Sequence, residues 1–314
     1  MAELVKIKDN HEGFFKVIRT LFDKGVEQKS RNGNTLEIED LIIEVEDPVY
    51  NSPEGVRPGY NSSIGVVEGL QLLAGISDSG LTADIQPQFR AYMDDGKFWG
   101  AYGPRTVDQF PIIVDRLSRD HDTRQAVITL WDPEYDAKGG KKDHPCTTAF
   151  FFLVRDGKLN MKTVMRSMDL WWGWPYDAVQ FSMVQQAVAA CLGIPVGTYT
   201  HHAVSAHLYE PHWKAAGYML DNGYVSETRQ PVLSFTPDKN MARYLPVLRT
   251  DGFNLWGNIR EQAFDTLSVV AGTKNATDLW NNTQQALAQQ LLTRKAKVVQ
   301  QNLEKVEALD DFDV

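Results

Sequence analysis

The stretch "DHPCTTAFFF" (143–152) sets Cys146, one of two cysteines in the chain, between a proline and two threonines at the start of an apolar run. A free cysteine is often a small buried hydrophobe; as a thiolate it is a nucleophile, and its electrostatic surroundings decide which. Its immediate neighbours favour the buried filler. Twenty residues on, "MRSMDLWWGWPYD" (165–177) crowds Arg166, Ser167, Asp169 and Asp177 around three tryptophans. A guanidinium near a thiol lowers the thiol's pKa, and the same group can hold a phosphate through paired hydrogen bonds. "SAHLYEPHW" puts His207 and Tyr209 two residues apart, on one face of an extended segment, where they suit a hydroxyl. Glu68 lies four residues from both Ile64 and Leu72, which sets its carboxyl on an apolar helix face. Desolvation there favours the protonated form, as a general acid or base near neutrality needs. The alternative is a buried carboxyl bonded to nearby backbone. Cys191 follows Val184 and Val188 on an apolar helix face and reads as a structural thiol.

Periodicity supplies the elements that must position these groups. "FFKVIRTLFDKGV" (14–26) has apolar residues at helical spacing, and "TLEIEDLIIEVEDP" alternates apolar and acidic residues as a strand or hairpin with one wet face. "GYNSSIGVVEGLQLLAG" (59–75) predicts a helix ending at Gly75, and "PYDAVQFSMVQQAVAACLGI" a second, with Pro175 near its start and Gly193 past its end. "RQAVITLW" reads as a strand, and "TTAFFFLVRDGKLNMKTVMRS" as a hairpin turning at Asp156-Gly157. From about 277 the chain is Gln-rich and helical in pattern. Strands and long helices without regular βαβ alternation predict an α+β fold with one large sheet.

Composition bounds the chemistry. The chain has 314 residues, 43% hydrophobic and 23% charged, as in a soluble globular protein. No apolar run approaches the roughly 20 residues needed to span a bilayer, and "MAELVKIKDNHEG" has no apolar signal core, so the expectation is a cytoplasmic protein with no membrane contact. Two cysteines without CxxC spacing predict neither a disulfide framework nor a metal site. A net charge of −9 argues against nucleic acid polymers as partners but leaves room for a small anion held by converging arginines.

The ordered series "PC", "RSxD", "GxPYD" leading into a helix, and "HLY" resembles the thymidylate synthase family, which transfers a one-carbon unit from 5,10-methylenetetrahydrofolate to C5 of a pyrimidine nucleotide. Upstream, "SSIGVVEGLQLLAG" looks like the family helix that carries a catalytic glutamate, here Glu68. "WGAYG" resembles its active-site tyrosine segment, giving Tyr102, and "DTRQAVITLWDP" the strand that sends Arg124 across a dimer interface. The match spans roughly residues 30 to 215. The resemblance implies one α+β domain over 1–314, with a large mixed sheet packed by helices, one sheet face forming a homodimer interface, and a less clearly matched helical region from about 216. It implies that Cys146 attacks C6 of the pyrimidine. Arg166, Arg124 of the partner subunit and Arg31 in "SRNGNTL" would hold the 5′-phosphate. Ser167, His207 and Tyr209 would contact the rest of the nucleotide, and Asp169 and Trp172 the folate. Trp171, Trp172 and Trp174 beside a Gly-Trp-Pro turn are as readily core residues.

Departures from the family pattern are informative. Where thymidylate synthases carry an asparagine that reads uracil, this chain has Asp177. A carboxyl matches cytosine if a proton lies between it and N3 while its other oxygen accepts from the 4-amino group. The change resembles deoxycytidylate 5-hydroxymethylases, phage-type relatives of the synthases, and predicts hydroxymethyl transfer to dCMP, with water capturing the transferred methylene. Ser167 points to the deoxynucleotide. The rivals are a CMP hydroxymethylase, a dCMP methylase, an atypical thymidylate synthase acting on dUMP, and a non-catalytic nucleotide- or RNA-binding protein of the same fold. Asp177 as a mere helix cap is the bland alternative. Gln125, Thr147 and Met165 replace the family's second interface arginine, the histidine after the nucleophile and the glutamine before the phosphate arginine.

Overall fold

A computed structural model describes residues 2–222, apart from 51–52, 54–56, 58 and 77–80, together with 260, 263 and 267. In chain order the elements are β1 (Glu3–Ile7), α1 (Asn10–Lys24), β2 (Val26–Ser30), β3 (Gly33–Val45), α2 (Ser62–Ala74), α3 (Leu81–Ile85), α4 (Tyr102–Thr106), α5 (Phe110–Arg119), β4 (Val127–Thr129), β5 (Thr147–Arg155), β6 (Lys158–Met165), β7 (Met168–Asp169), α6 (Trp174–Leu192), β8 (Val196–Tyr209) and α7 (Glu210–Asn222). The Gln-rich stretch from about 277 lies outside the described residues.

The strands form one mixed sheet in the order β1-β3-β8-β6-β5-β4, with β2 added to β3 and β7 to β8. The acidic alternation of 35–48 resolves as one long strand: Leu41, Ile43 and Val45 face inward, β2 pairs antiparallel with its first half, and β8 pairs antiparallel along its length. The fold class is thus the α+β arrangement expected. Phe14, Val17, Ile18 and Leu21 of α1, at i, i+3, i+4 and i+7, are fully buried and pack that helix on β1 and β3. Every residue of α6 is buried, which explains why its sequence is apolar all round; the helix is the centre of the core and packs on β6 and β8. Cys191 is 5% exposed within it, a packing residue as expected.

Two features of this frame set the geometry that follows. The β5–β6 hairpin turns through Asp156 (φ 51°) and Gly157 (φ 71°), the left-handed pair that a two-residue hairpin loop requires. Its register then shifts by one residue between Thr147 and Ala149, so the strand bulges where the cysteine loop enters. Across the core, α2 lies against α6 through two glycines. A Cβ on Gly65 would stand 2.9 Å from the Val179 side chain, and one on Gly69 would stand 2.6 Å from the Met183 sulfur and 3.2 Å from the Gln180 Cα.

Candidate active site

The hairpin brings the cysteine and the arginine together. The Arg166 backbone amide donates to the Cys146 carbonyl at 2.9 Å, extending the β5–β6 ladder by one step beyond the bulge. The Arg166 side chain folds back over the same loop: Nε donates to the Pro145 carbonyl at 3.1 Å, and Nη2 lies 3.9 Å from Cys146 Sγ. Its guanidinium also stacks on Trp131, 5.5 Å from the ring centroid. Cys146 is half-buried. Burial pushes its thiol up to about 11; Arg166 pulls the other way, and the Asp177, Asp143 and Asp169 carboxyls add to the rise. At pH 7 roughly one molecule in ten thousand would hold such a thiol as thiolate, so the arginine beside it is the main lever on its reactivity.

Cys146 opens on a cavity of about 380 Å³, whose wall includes Glu68, Tyr102, Ser167, Asp169, Trp172 and Asp177. Seven of the twelve sequence-selected residues therefore share one wall. Tyr102 opens α4, and its hydroxyl accepts bonds from the Thr147 hydroxyl (3.0 Å) and backbone amide (3.3 Å). Thr147, which replaces the family histidine, thus pins the tyrosine. Burial first, then Asp177 and Cys146, raises the Tyr102 pKa well above its ordinary value, so the phenol stays protonated and can donate.

Asp177 sits in the first turn of α6, but the residue at the N-cap is Gly173, and no side chain caps the helix. The capping alternative therefore fails. Asp177 is 8% exposed, and its Oδ1 accepts from the Gln180 side-chain amide at 2.9 Å. Burial raises its pKa to about 7; the Gln180 bond opposes this and Asp169 reinforces it. Gln180 Nε2 also reaches Glu68 Oε2 at 3.5 Å, so one amide links the two carboxyls across the α2–α6 contact. Sequence reasoning missed Gln180. The signal was present, since Asp and Gln three apart on a helix face one another.

Asp169 Oδ1 accepts the backbone amides of Trp171 (2.7 Å) and Trp172 (3.1 Å), fixing the tight turn that leads into α6. That turn sorts the tryptophans. Trp174 and Trp171 enter the core, whereas Trp172 borders the cavity and donates through Nε1 to His212. A further residue that the sequence did not mark is Arg57, 3% exposed, with its guanidinium 4.8 Å from the Trp172 ring and its Nη2 donating to the Tyr176 hydroxyl at 2.7 Å. It braces two cavity-facing rings from behind.

The remaining expected residues lie apart from this wall. His207 is buried in β8 opposite Asp169, and its ring meets Tyr209 edge-on at 5.0 Å. Arg31 is exposed in the β2–β3 turn. Arg124 borders a separate, open concavity of about 540 Å³ with Arg116, Arg119 and three aspartates; Gln125 there accepts a bond from Arg116. That surface has no cysteine in its lining. Among the described residues no cluster of three or more His, Cys, Asp or Glu could hold a metal ion, and no helix is long and apolar enough to cross a membrane.

Two phage proteins, each named deoxyuridylate hydroxymethyltransferase, are similar to the chain. That of Bacillus phage SP01 is 31% identical over 214 residues, covering 62% of this chain and 56% of the relative. That of Pseudomonas phage M6 is 31% identical over 231 residues, covering 66% and 62%. The chain therefore spans about three fifths of the length of these relatives. The family profile described as thymidylate synthase matches residues 84–264, which takes in Tyr102 through Tyr209, runs past the expected limit near 215, and begins downstream of Arg31 and Glu68. More than half of the sequence lies within that match, and the chain belongs to the thymidylate synthase family.

Proposed function

We propose that the protein is a folate-dependent one-carbon transferase that hydroxymethylates dCMP at C5, taking the carbon from 5,10-methylenetetrahydrofolate and releasing 5-hydroxymethyl-dCMP and tetrahydrofolate. The observation that carries this reading is Asp177, a buried carboxyl that titrates at about 7 and is oriented by Gln180. With Oδ1 engaged by Gln180 yet keeping a lone pair for the 4-amino group, Oδ2 is left to share a proton with N3.

The remaining roles follow from position. Cys146 adds to C6, with Arg166 stabilising the thiolate; as the S–C bond forms, electron density moves to the ring and the proton held by Asp177 moves towards N3. Glu68, linked to Asp177 through Gln180, and the protonated Tyr102 flank the reacting edge and serve proton transfer. Arg166, Arg31 and the partner subunit's Arg124 hold the phosphate. Ser167, His207 and Tyr209 contact the nucleotide, and His207 and Tyr209 the sugar hydroxyl. Asp169 and Trp172 meet the folate. For the homodimer, support comes from the outer sheet face, where Phe151, Leu153 and Val164 are only half-buried and Val204 is 48% exposed. In this reading the protein works as one domain in the cytoplasm.

Incubation with methylenetetrahydrofolate and, separately, dCMP, CMP and dUMP, followed by mass spectrometry, tests the proposal. A gain of CH₂O on dCMP is expected; a gain of CH₂ on any substrate overturns the hydroxymethyl claim. A second reading, dUMP as substrate, is favoured by the names of the two phage relatives. It requires Asp177 to accept from N3–H as a carboxylate and Gln180 to turn its amide towards O4. Preferential turnover of dUMP would establish it.

A further inference from the structure

The cavity wall contains a fourth carboxyl, Asp143, which neither the sequence motifs nor the roles above use. It lies three residues before Cys146, close enough for its charge to raise the Cys146 thiol pKa. Its Oδ2 accepts the Gly100 backbone amide at 2.9 Å, two residues from Tyr102. Gly100 is the residue that permits this approach: a Cβ there would stand 2.8 Å from Asp143 Oδ2, from the His144 carbonyl carbon and from the Pro145 nitrogen. The lysines that follow one another before Asp143 are engaged elsewhere, Lys141 over the Trp99 ring and Lys142 on the Met93 carbonyl. Among the described residues the Gly100 amide is the one hydrogen-bond partner of Asp143, so Oδ1 keeps its lone pairs for a molecule in the cavity.

The other three carboxyls are committed. Asp177 faces the base, Glu68 is tied through Gln180, and Asp169 Oδ1 holds two backbone amides. Resting on the hydroxymethyl reading, the geometry points to Asp143 as the catalytic base that orients and deprotonates the water capturing the transferred methylene. At that stage Cys146 is bonded to C6 and C5 carries an exocyclic =CH₂. The water oxygen bonds to that carbon, its proton passes to Asp143 Oδ1, and the C=C pair moves into the ring towards C4. That pair then returns to form C5=C6 and expels the Cys146 thiolate, which recovers the proton from Asp143. Water is consumed, and no oxidant or reductant is needed. Burial raises the Asp143 pKa above the ordinary carboxylate range, while the Gly100 amide, His144, Arg105 and Arg166 restrain the rise. The group is therefore a stronger base than an exposed aspartate.

The test uses dCMP tritiated at C5 with methylenetetrahydrofolate. Tritium leaves when C5 loses its proton, before water capture, and hydroxymethyl product forms after it. Wild-type protein is expected to give one product per tritium released. Asp143→Asn keeps the shape and an acceptor for Gly100 but loses the base. It is expected to lower product at least tenfold while tritium release falls far less, and added 2-mercaptoethanol should trap the methylene as a thioether. Asp143→Ala should regain product formation when formate is supplied, which a merely misfolded variant would not. One product per tritium at the wild-type rate in Asp143→Asn overturns the proposal. So does a raised KM for dCMP with the ratio still at one, which would assign Asp143 to nucleotide binding. Wild-type protein that yields no hydroxymethyl product overturns the functional reading, and this proposal with it.

Discussion

The Gln180 side-chain amide donates to Asp177 Oδ1 at 2.9 Å from the next turn of the same helix, and it is the one hydrogen bond that holds the Asp177 pKa down against burial. Gln180→Leu removes the donor and leaves the carboxyl easier to protonate. The alkaline limb of kcat/KM for dCMP should therefore move up by about one pH unit. A profile that stays in place, or shifts downwards, would show that the amide does not control the base-reading proton.

Asp177 also makes stability depend on pH. Its pKa is about 7 in the folded protein against 3.8 for the ordinary group. The folded state thus binds the proton more tightly, and its stability falls as pH rises through that interval. The full cost, at most roughly 4 kcal/mol, is present above pH 7, and none remains below about pH 4. Asp177→Asn should accordingly melt higher than wild type at pH 8 and equally at pH 4, and should shift substrate preference towards dUMP. Equal melting at both pH values would mean the carboxyl titrates normally.

Arg166 is the principal group that favours the Cys146 thiolate. Arg166→Gln should slow iodoacetamide labelling of Cys146 at pH 8 by about tenfold, one unit of pKa. Cys191, buried in α6 and held near 12, should stay unlabelled until the protein unfolds. Labelling of Cys146 at the wild-type rate would leave the arginine with a phosphate role alone.

Cys146→Ala should abolish turnover while dCMP binding, followed by calorimetry, stays within a few-fold of wild type. Turnover in that variant would exclude covalent catalysis by this thiol.

Much of the fold was written in local pattern. The β5–β6 hairpin was legible because Asp-Gly supports left-handed backbone at both turn positions, and α2 and α6 because glycines with φ near +70° stop them. β4 proved only three residues long, since pairing with β5 rather than the apolar run "RQAVITLW" sets its extent. The cavity wall was partly legible: Cys146, Tyr102, Asp169 and Asp177 lie in motif-bearing segments. Arg57 and Asp143 were not, because each owes its place to contacts across elements that no spacing rule encodes; for Gln180 the i, i+3 spacing to Asp177 was legible, and its reach to Glu68 on another helix was not. Arg31 and Arg124 match by motif, yet within one protomer they stand away from the cavity.

Gly65 and Gly69 give the α2–α6 contact a further meaning. The two helices carry the two carboxyls that Gln180 joins, and the longer of its bonds, 3.5 Å, already stands at the limit of a hydrogen bond. A methyl group on Gly69 would press on Met183 and the Gln180 backbone and prise the helices apart by a fraction of an ångström. That is enough to sever the bridge while leaving every cavity-facing side chain unchanged. If Asp177 reads the base as proposed, discrimination between bases is calibrated by a mechanical clearance, set by two glycines on the helix contact behind it.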